Sequence, residues 1–269
     1  MKKKGKLALR IIALLAAAAL IGLILFVANA FVGNPISSYM AGKAMDKYVK
    51  EHYSDLNLEI GEVKYNFKFS EYWALAQSRT SMDTHFNIYY RNGKITWDDY
   101  EGSVLGKFNT LTRWEDEYSD YIKPVLSKID GLEEHTSYVQ IEKWEYEKAN
   151  DNIRLDMKFD KQLPIDMSMT IRADLESDSL AEIAELLKQA HAALLAEKCV
   201  FVSYGLFSEA NGTLIMIHSV TPADIESGKL EELLQAAREA KEEDAGKTAD
   251  KESAQPDVQS KLSVYIKKS

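Results

Sequence analysis

From Ile11 to Val32 the chain runs for 22 residues without a charge, and most of them are Ala, Leu and Ile. A helix of that length covers about 33 Å at a rise of about 1.5 Å per residue, enough for a hydrocarbon core of about 30 Å. No polar periodicity breaks the run, so the buried helix of a soluble core is not expected. Lys2, Lys3, Lys4, Lys6 and Arg10 precede it with no acid among them, and the next lysine is Lys43. The positive-inside rule then keeps the N-terminus cytoplasmic and sends the rest of the chain outside. The run ends in VANA, where Ala28 and Ala30 have the small-x-small spacing of a signal-peptidase site. A cleaved signal has an apolar region of about 7–15 residues, and this one is already near that limit before Ala28. The expectation is a single-pass plasma-membrane anchor over residues 11–32, with secretion after cleavage at Ala30 as the alternative.

Charge separates the two sides of that anchor. Beyond residue 10 the chain carries 28 basic against 42 acidic residues, a balance near −14. Phosphate backbones repel such a surface, and no basic stripe with interleaved aromatics is present, so nucleic acid is not an expected partner. The one cysteine, Cys199, has no second thiol for an internal disulfide. The exported part must therefore be held by its core.

Spacing divides that part into two α+β domains. Gly33-Asn34-Pro35 is a turn, and residues 36–53 read as an amphipathic helix with Ile36, Met40, Ala44 and Tyr48 on its apolar stripe. A four-stranded antiparallel meander follows. Its first strand, LEIGEVKYNFKF, changes parity at Gly61-Glu62 as a bulge would, with Val63, Tyr65, Phe67 and Phe69 apolar beyond it. Strands at 71–79, 84–91 and 94–100 complete the meander, the last two joined by Asn92-Gly93, whose residues suit a two-residue hairpin turn. Residues 103–127 return to helical spacing and close domain one at 34–128.

Domain two, 129–242, reads as a five-stranded sheet with two helices. Its strands are expected at 137–146, 152–160, 165–171, 199–207 and 213–219. One helix covers 179–197; the other opens at TPAD, with Thr221 as cap and Pro222 at the first helical position. Residues 243–269 read as an acidic, largely disordered tail whose closing KLSVYIKKS is expected to fray.

Candidate chemistry is sparse. No zincin, nucleophile-elbow, phosphate-loop or C-x-x-C motif occurs, and no cofactor is expected. In SMDTHFNIYYRNGKITWDDYE the hairpin gathers Asp83, His85, Asp98 and Asp99 towards one end, a set suited to a hard cation or an acid–base pair. Aromatic residues of both parities crowd the first sheet, so one helix cannot cover them all. Trp73, Tyr89, Trp97 and Tyr100 are the candidate ligand contacts. His52 suits the C-terminal end of the first helix, and His135 falls in a polar linker.

The stretches GNPISSYMAGKAMDKYVKEHY, KYNFKF, DTHFNIYYRNGKITWDDYE and LTRWEDEY together resemble the YfjL-like family. These are poorly characterised membrane-associated proteins of low-GC Gram-positive bacteria. The resemblance implies an anchored two-domain α+β protein and supplies no catalytic residues to carry over. The expected function is an extracytoplasmic binding or accessory module whose partner is an envelope protein or a small ligand. The alternatives are a hydrolase with its site near His85, Asp98 and Asp99, and a structural spacer.

Overall fold

The computed structural model describes residues 2–147, 153–247 and 261–268. The chain divides into two compact units, Met1–Asn109 and Thr110–Ser269. Unit one begins with α1 (Lys2–Val32), whose apolar run is long enough to cross a membrane. Gly33 then takes a positive φ of 78°, and a Cβ there would lie 2.7 Å from the Tyr65 ring. Only glycine fits this turn. Asn34 caps α2 (Pro35–His52) by accepting from the Ile36 and Ser37 amides, with Pro35 filling the first helical position.

The buried stripe of α2 is Ala41, Met45 and Val49, not Ile36 and Met40, which are exposed. It packs on β3 (Glu71–Ser78) and β4 (His85–Arg91), whose inward residues Ala74, Ala76, Phe86, Ile88 and Tyr90 form the core with it and with Val104. The alanines on both sides let the helix lie close to the sheet. The expected first strand is two short pieces, β1 (Leu58–Ile60) and β2 (Lys64–Asn66), both antiparallel to β3. Ile60 pairs with Ala76 and Lys64 with Trp73, so Gly61, Glu62 and Val63 oppose only Ala74 and Leu75, and the extra residue expected of a bulge at Gly61-Glu62 is present. Phe67 and Phe69 do not continue the strand; they occupy the turn into β3. β5 (Lys94–Asp98) closes the meander at its edge. Asn92 and Gly93 both have positive φ between β4 and β5, as the hairpin requires.

In unit two, α3 (Phe108–Leu126) buries Leu111, Trp114, Tyr118, Ile122 and Leu126 in the second core. The helix expected to close domain one thus belongs to the other unit, and the division falls at Asn109 rather than near 128. Its apolar spacing was readable, but spacing does not say which sheet a helix covers.

The second sheet has five strands in the order β10-β9-β8-β7-β6. They are β6 (Tyr138–Ile141), β7 (Met167–Arg172), β8 (Ser203–Ala210), β9 (Thr213–Val220) and β10 (Ser263–Lys268). α4 (Lys143–Glu147) follows β6, while α5 (Leu180–Ala196) is the crossover that makes β7 and β8 parallel. α6 (Pro222–Glu226) opens with Thr221 as the expected cap and Pro222 at the first helical position, and Asp224 completes a capping box with Thr221. It is cut short before Gly228, whose φ is 74°, so the helical stripe resumes in α7 (Leu230–Lys247).

Two expectations are corrected here. The alternating segment Ile153–Phe159 forms no strand; Ile153 is buried and Met157 and Phe159 pack on the core from irregular backbone. The fifth strand is instead Ser263–Lys268 within KLSVYIKKS, which pairs along β9 with Val264 buried opposite Ile217. Residues 241–247 continue α7. The rest of the segment expected to be disordered, 248–260, lies outside the described residues, as does the Ala149-Asn150-Asp151 connection.

The free edge of β6 is covered by α3. Ser119 Oγ accepts from the Val139 amide at 2.8 Å, and Glu115 Oε1 accepts from the Ile141 amide at 2.7 Å and from the Tyr146 hydroxyl at 3.0 Å. These bonds occupy donors that would otherwise invite another strand. Burial raises the Glu115 pKa above its ordinary 4.5, against the opposing effect of its hydrogen bonds. The folded chain therefore holds this proton more tightly than the unfolded chain. The stability it contributes is full below about pH 4.5 and is lost as pH rises through the raised value. Glu115→Gln keeps the Oε1 acceptor and does not titrate. Urea unfolding across pH 4 to 8 is expected to show the variant gaining on the wild type as pH rises, then levelling off. A difference independent of pH would contradict this reading.

Candidate functional site

Strand pairing sorts the first sheet's aromatics by face. Tyr72, Phe86 and Tyr90 belong to the face that packs under α2. On the other face, Lys64 pairs with Trp73, Trp73 with Tyr89, and Tyr89 with Trp97, forming one row across four strands. The Lys64 ammonium lies 5.3 Å from the centre of the Trp73 ring. Tyr89 and Trp97 stack in parallel, with centroids 4.0 Å apart and planes 5° apart. Trp97 is 51% exposed and sits on the sheet's edge strand. Burial raises the Tyr89 pKa, and the Asp99 and Glu71 carboxylates raise it further.

Tyr100 does not join this row. Its ring packs against Tyr53 and Phe86, at 4.6 and 5.1 Å, on the helix side of the sheet. The expected acidic set is divided in the same way. Asp98 pairs with the inward Ile88, and its Oδ2 accepts from the Tyr48 and Tyr53 hydroxyls at 2.7 and 2.9 Å. Its Oδ1 accepts from the Tyr100 amide at 3.0 Å. Burial, and then the Asp98 carboxylate, raise the pKa of both phenols, which therefore stay protonated as donors. Asp99 accepts from both the backbone and the side-chain N–H groups of Asn87. His85 Nδ1 lies 3.0 Å from the Met82 carbonyl, and Asp83 is buried. Among the described residues, no three His, Cys, Asp or Glu side chains are grouped to hold a metal ion.

Sequence reasoning also passed over a partly buried arrangement in unit two. His191 on α5 meets the Tyr204 hydroxyl at 2.8 Å through Nδ1 and Glu226 Oε1 at 3.2 Å through Nε2. Tyr204 is 1% exposed and His191 is buried, while the Glu226 side chain is open to solvent, so the trio ties α5, β8 and α6 together from the core outwards. Each residue lies on a separate element, and no local spacing announces the group. His135 is likewise engaged, with Ser137 Oγ and the Lys123 carbonyl, whereas His52 meets the Tyr48 carbonyl at the end of α2 as its position suggested.

With both units described, the comparison with known families is decisive for ancestry. Residues 8–99 match the YfjL-like N-terminal domain, and residues 117–235 match the YfjL-like C-terminal domain. The chain belongs to the YfjL-like family. The first YfjL-like match includes most of α1 and all five strands of the first sheet, and the two matches flank the unit boundary at Asn109. No curated protein and no solved structure matches the chain.

The Asp98 cluster generates a stability prediction. Asp98→Ala leaves two half-buried phenols and one amide without their acceptor, at about 1–3 kcal/mol for a fully buried group and less here. A loss of about 2–3 kcal/mol in urea unfolding is expected, with Asp98→Asn costing less because it keeps an acceptor oxygen. Unchanged stability in Asp98→Ala would overturn the structural role.

Proposed function

We propose that the chain is a membrane-anchored extracytoplasmic binding or accessory module, and that the outer face of its first sheet is the contact surface. The observation that supports this most is the Lys64–Trp73–Tyr89–Trp97 row, which ends in an indole half open to solvent on an edge strand. Large aromatics held by cross-strand pairing offer contact area at little further entropic cost, and they are enriched where proteins bind partners. Asp99, Glu71 and the Asn87 amide border the row with polar groups that give a ligand orientation. The apolar α1 supplies the anchor, with its basic end cytoplasmic and both units outside. No specific observation favours the hydrolase or the spacer over this reading.

The test is capture of an envelope component by the full chain in detergent. Replacing Trp73 and Trp97 together by Ala is expected to reduce capture at least tenfold while Tm moves by only a few degrees, because both residues lie outside the buried core. Capture unchanged in the double variant would remove the sheet face from the account.

A further inference from the structure

Four segments of unit one converge at the end of α1. Phe31, in its last turn, meets Phe67 in the β2–β3 turn, with ring centroids 5.8 Å apart. Tyr72, at the start of β3, bonds to Asn34 at the start of α2. A cleft of about 400 Å³ is lined by Asn29 and Met40 from the two helices, Ser70 from the β2–β3 turn, and Arg91, Asn92 and Gly93 around the β4–β5 turn. Both hairpin tips therefore lie beside the point where α1 ends.

This end of the unit is apolar and open. Phe31 and Val32 are more than half exposed, and so are Phe67 and Phe69 at the hairpin tip. On α2, Ile36, Tyr39 and Met40 form a second apolar stripe, also more than half exposed and distinct from the stripe that packs on the sheet. In water a patch of this kind marks a contact surface. Basic groups share it. Lys68 lies between the two phenylalanines, Arg91 and Lys94 flank the second hairpin turn, and the Lys43 ammonium sits 5.7 Å from the Tyr39 ring. Four cations are thus gathered at one end of a portion whose overall balance is near −14.

We propose that this end of unit one docks onto the outer surface of an anionic lipid bilayer. Phe67 and Phe69 enter the boundary between headgroups and acyl chains, and Lys68, Arg91 and Lys94 lie among the headgroups. The proposal rests on α1 crossing the membrane, as proposed above. The apolar run ends at Val32, so Phe31 stands at the edge of the hydrocarbon layer, and Phe67, touching Phe31, stands at the same depth. Aromatic rings and basic side chains are the groups favoured at that depth, where one end is apolar and the other wet. The surface is continuous with the spanning helix, and its charge opposes that of the lipid. These two features select the bilayer over a second copy of an acidic chain.

The experiment uses the full chain, one molecule per nanodisc, in a 3:1 mixture of phosphatidylcholine and phosphatidylglycerol. Single cysteines replace Phe69, Glu59 or Leu20 and carry an environment-sensitive fluorophore, while the native Cys199 is buried. Glu59 pairs with Gln77, about 23 Å along β3 from Ser70 at about 3.3 Å per residue, and serves as the distant control. Lipids spin-labelled near the headgroup are expected to quench the probe at 69 at least twofold more than the probe at 59. Replacing the phosphatidylglycerol by phosphatidylcholine is expected to reduce that quenching. Deep spin labels are expected to quench the probe at 20. Quenching at 20 without quenching at 69 would refute docking and leave the anchor standing. No quenching at 20 would refute the anchor and the docking with it. Quenching at 69 only in discs loaded with two chains would assign the patch to a second copy and overturn the proposal.

Discussion

The arrangement of unit one depends on how Tyr72 holds Asn34. Its hydroxyl accepts from the Asn34 amide at 2.7 Å and lies 3.3 Å from the Asn34 carbonyl, so one phenol fixes the peptide groups that join α1 to α2. Asn34 also caps α2 through its side chain, and Gly33 turns the chain with the Tyr65 ring directly over it. The Tyr65 and Tyr72 rings are themselves a cross-strand pair with centroids 4.9 Å apart. The end of the apolar helix is thereby tied to the sheet rather than joined to it by a loose linker. Once that tie is made, the hairpin tips must lie beside the last turn of α1.

The tie also bears on where a partner would meet the aromatic row. Trp73 is three residues beyond Ser70 and Trp97 is four beyond Gly93, so the row stands about 10–13 Å from the tips at about 3.3 Å per residue. With the tips on the bilayer, the row faces the layer of space immediately above the headgroups. A partner suited to it is a membrane protein or an envelope component held close to the surface. The acidity of the exported part then separates two roles. On the docking proposed above, its few clustered cations would face lipid, while the net negative remainder would keep the rest of the protein in solution.

Features encoded by neighbouring residues were legible in the sequence: the Asn92-Gly93 hairpin, the Thr221 cap, the helix over 179–197 and the bulge near Gly61. Features set by distant partners were not. Ile153–Phe159 alternates like a strand but pairs with none among the described residues, whereas Ser263–Lys268 becomes one because β9 offers an edge. On α2 the four-residue recurrence of Ile36 and Met40 was visible, but a parallel recurrence of Ala41, Met45 and Val49 makes the actual core contact. In the candidate site the period of two held the answer more fully than it was used. Adjacent strand residues face opposite ways, so Asp98 with Tyr100 parts from Trp97 with Asp99. The hydroxyls that engage Asp98 come from α2 and its C-terminal cap, 45 and 50 residues away, and no local spacing reveals them.

The central claim is that the chain remains attached through α1 and works at the membrane surface. The most direct test is the intact mass of the protein recovered separately from membranes and from culture medium. The account predicts a chain of full mass, found in the membrane fraction alone. A chain beginning at Phe31 in the medium would contradict it, because cleavage after Ala30 removes the helix on which the docking geometry depends.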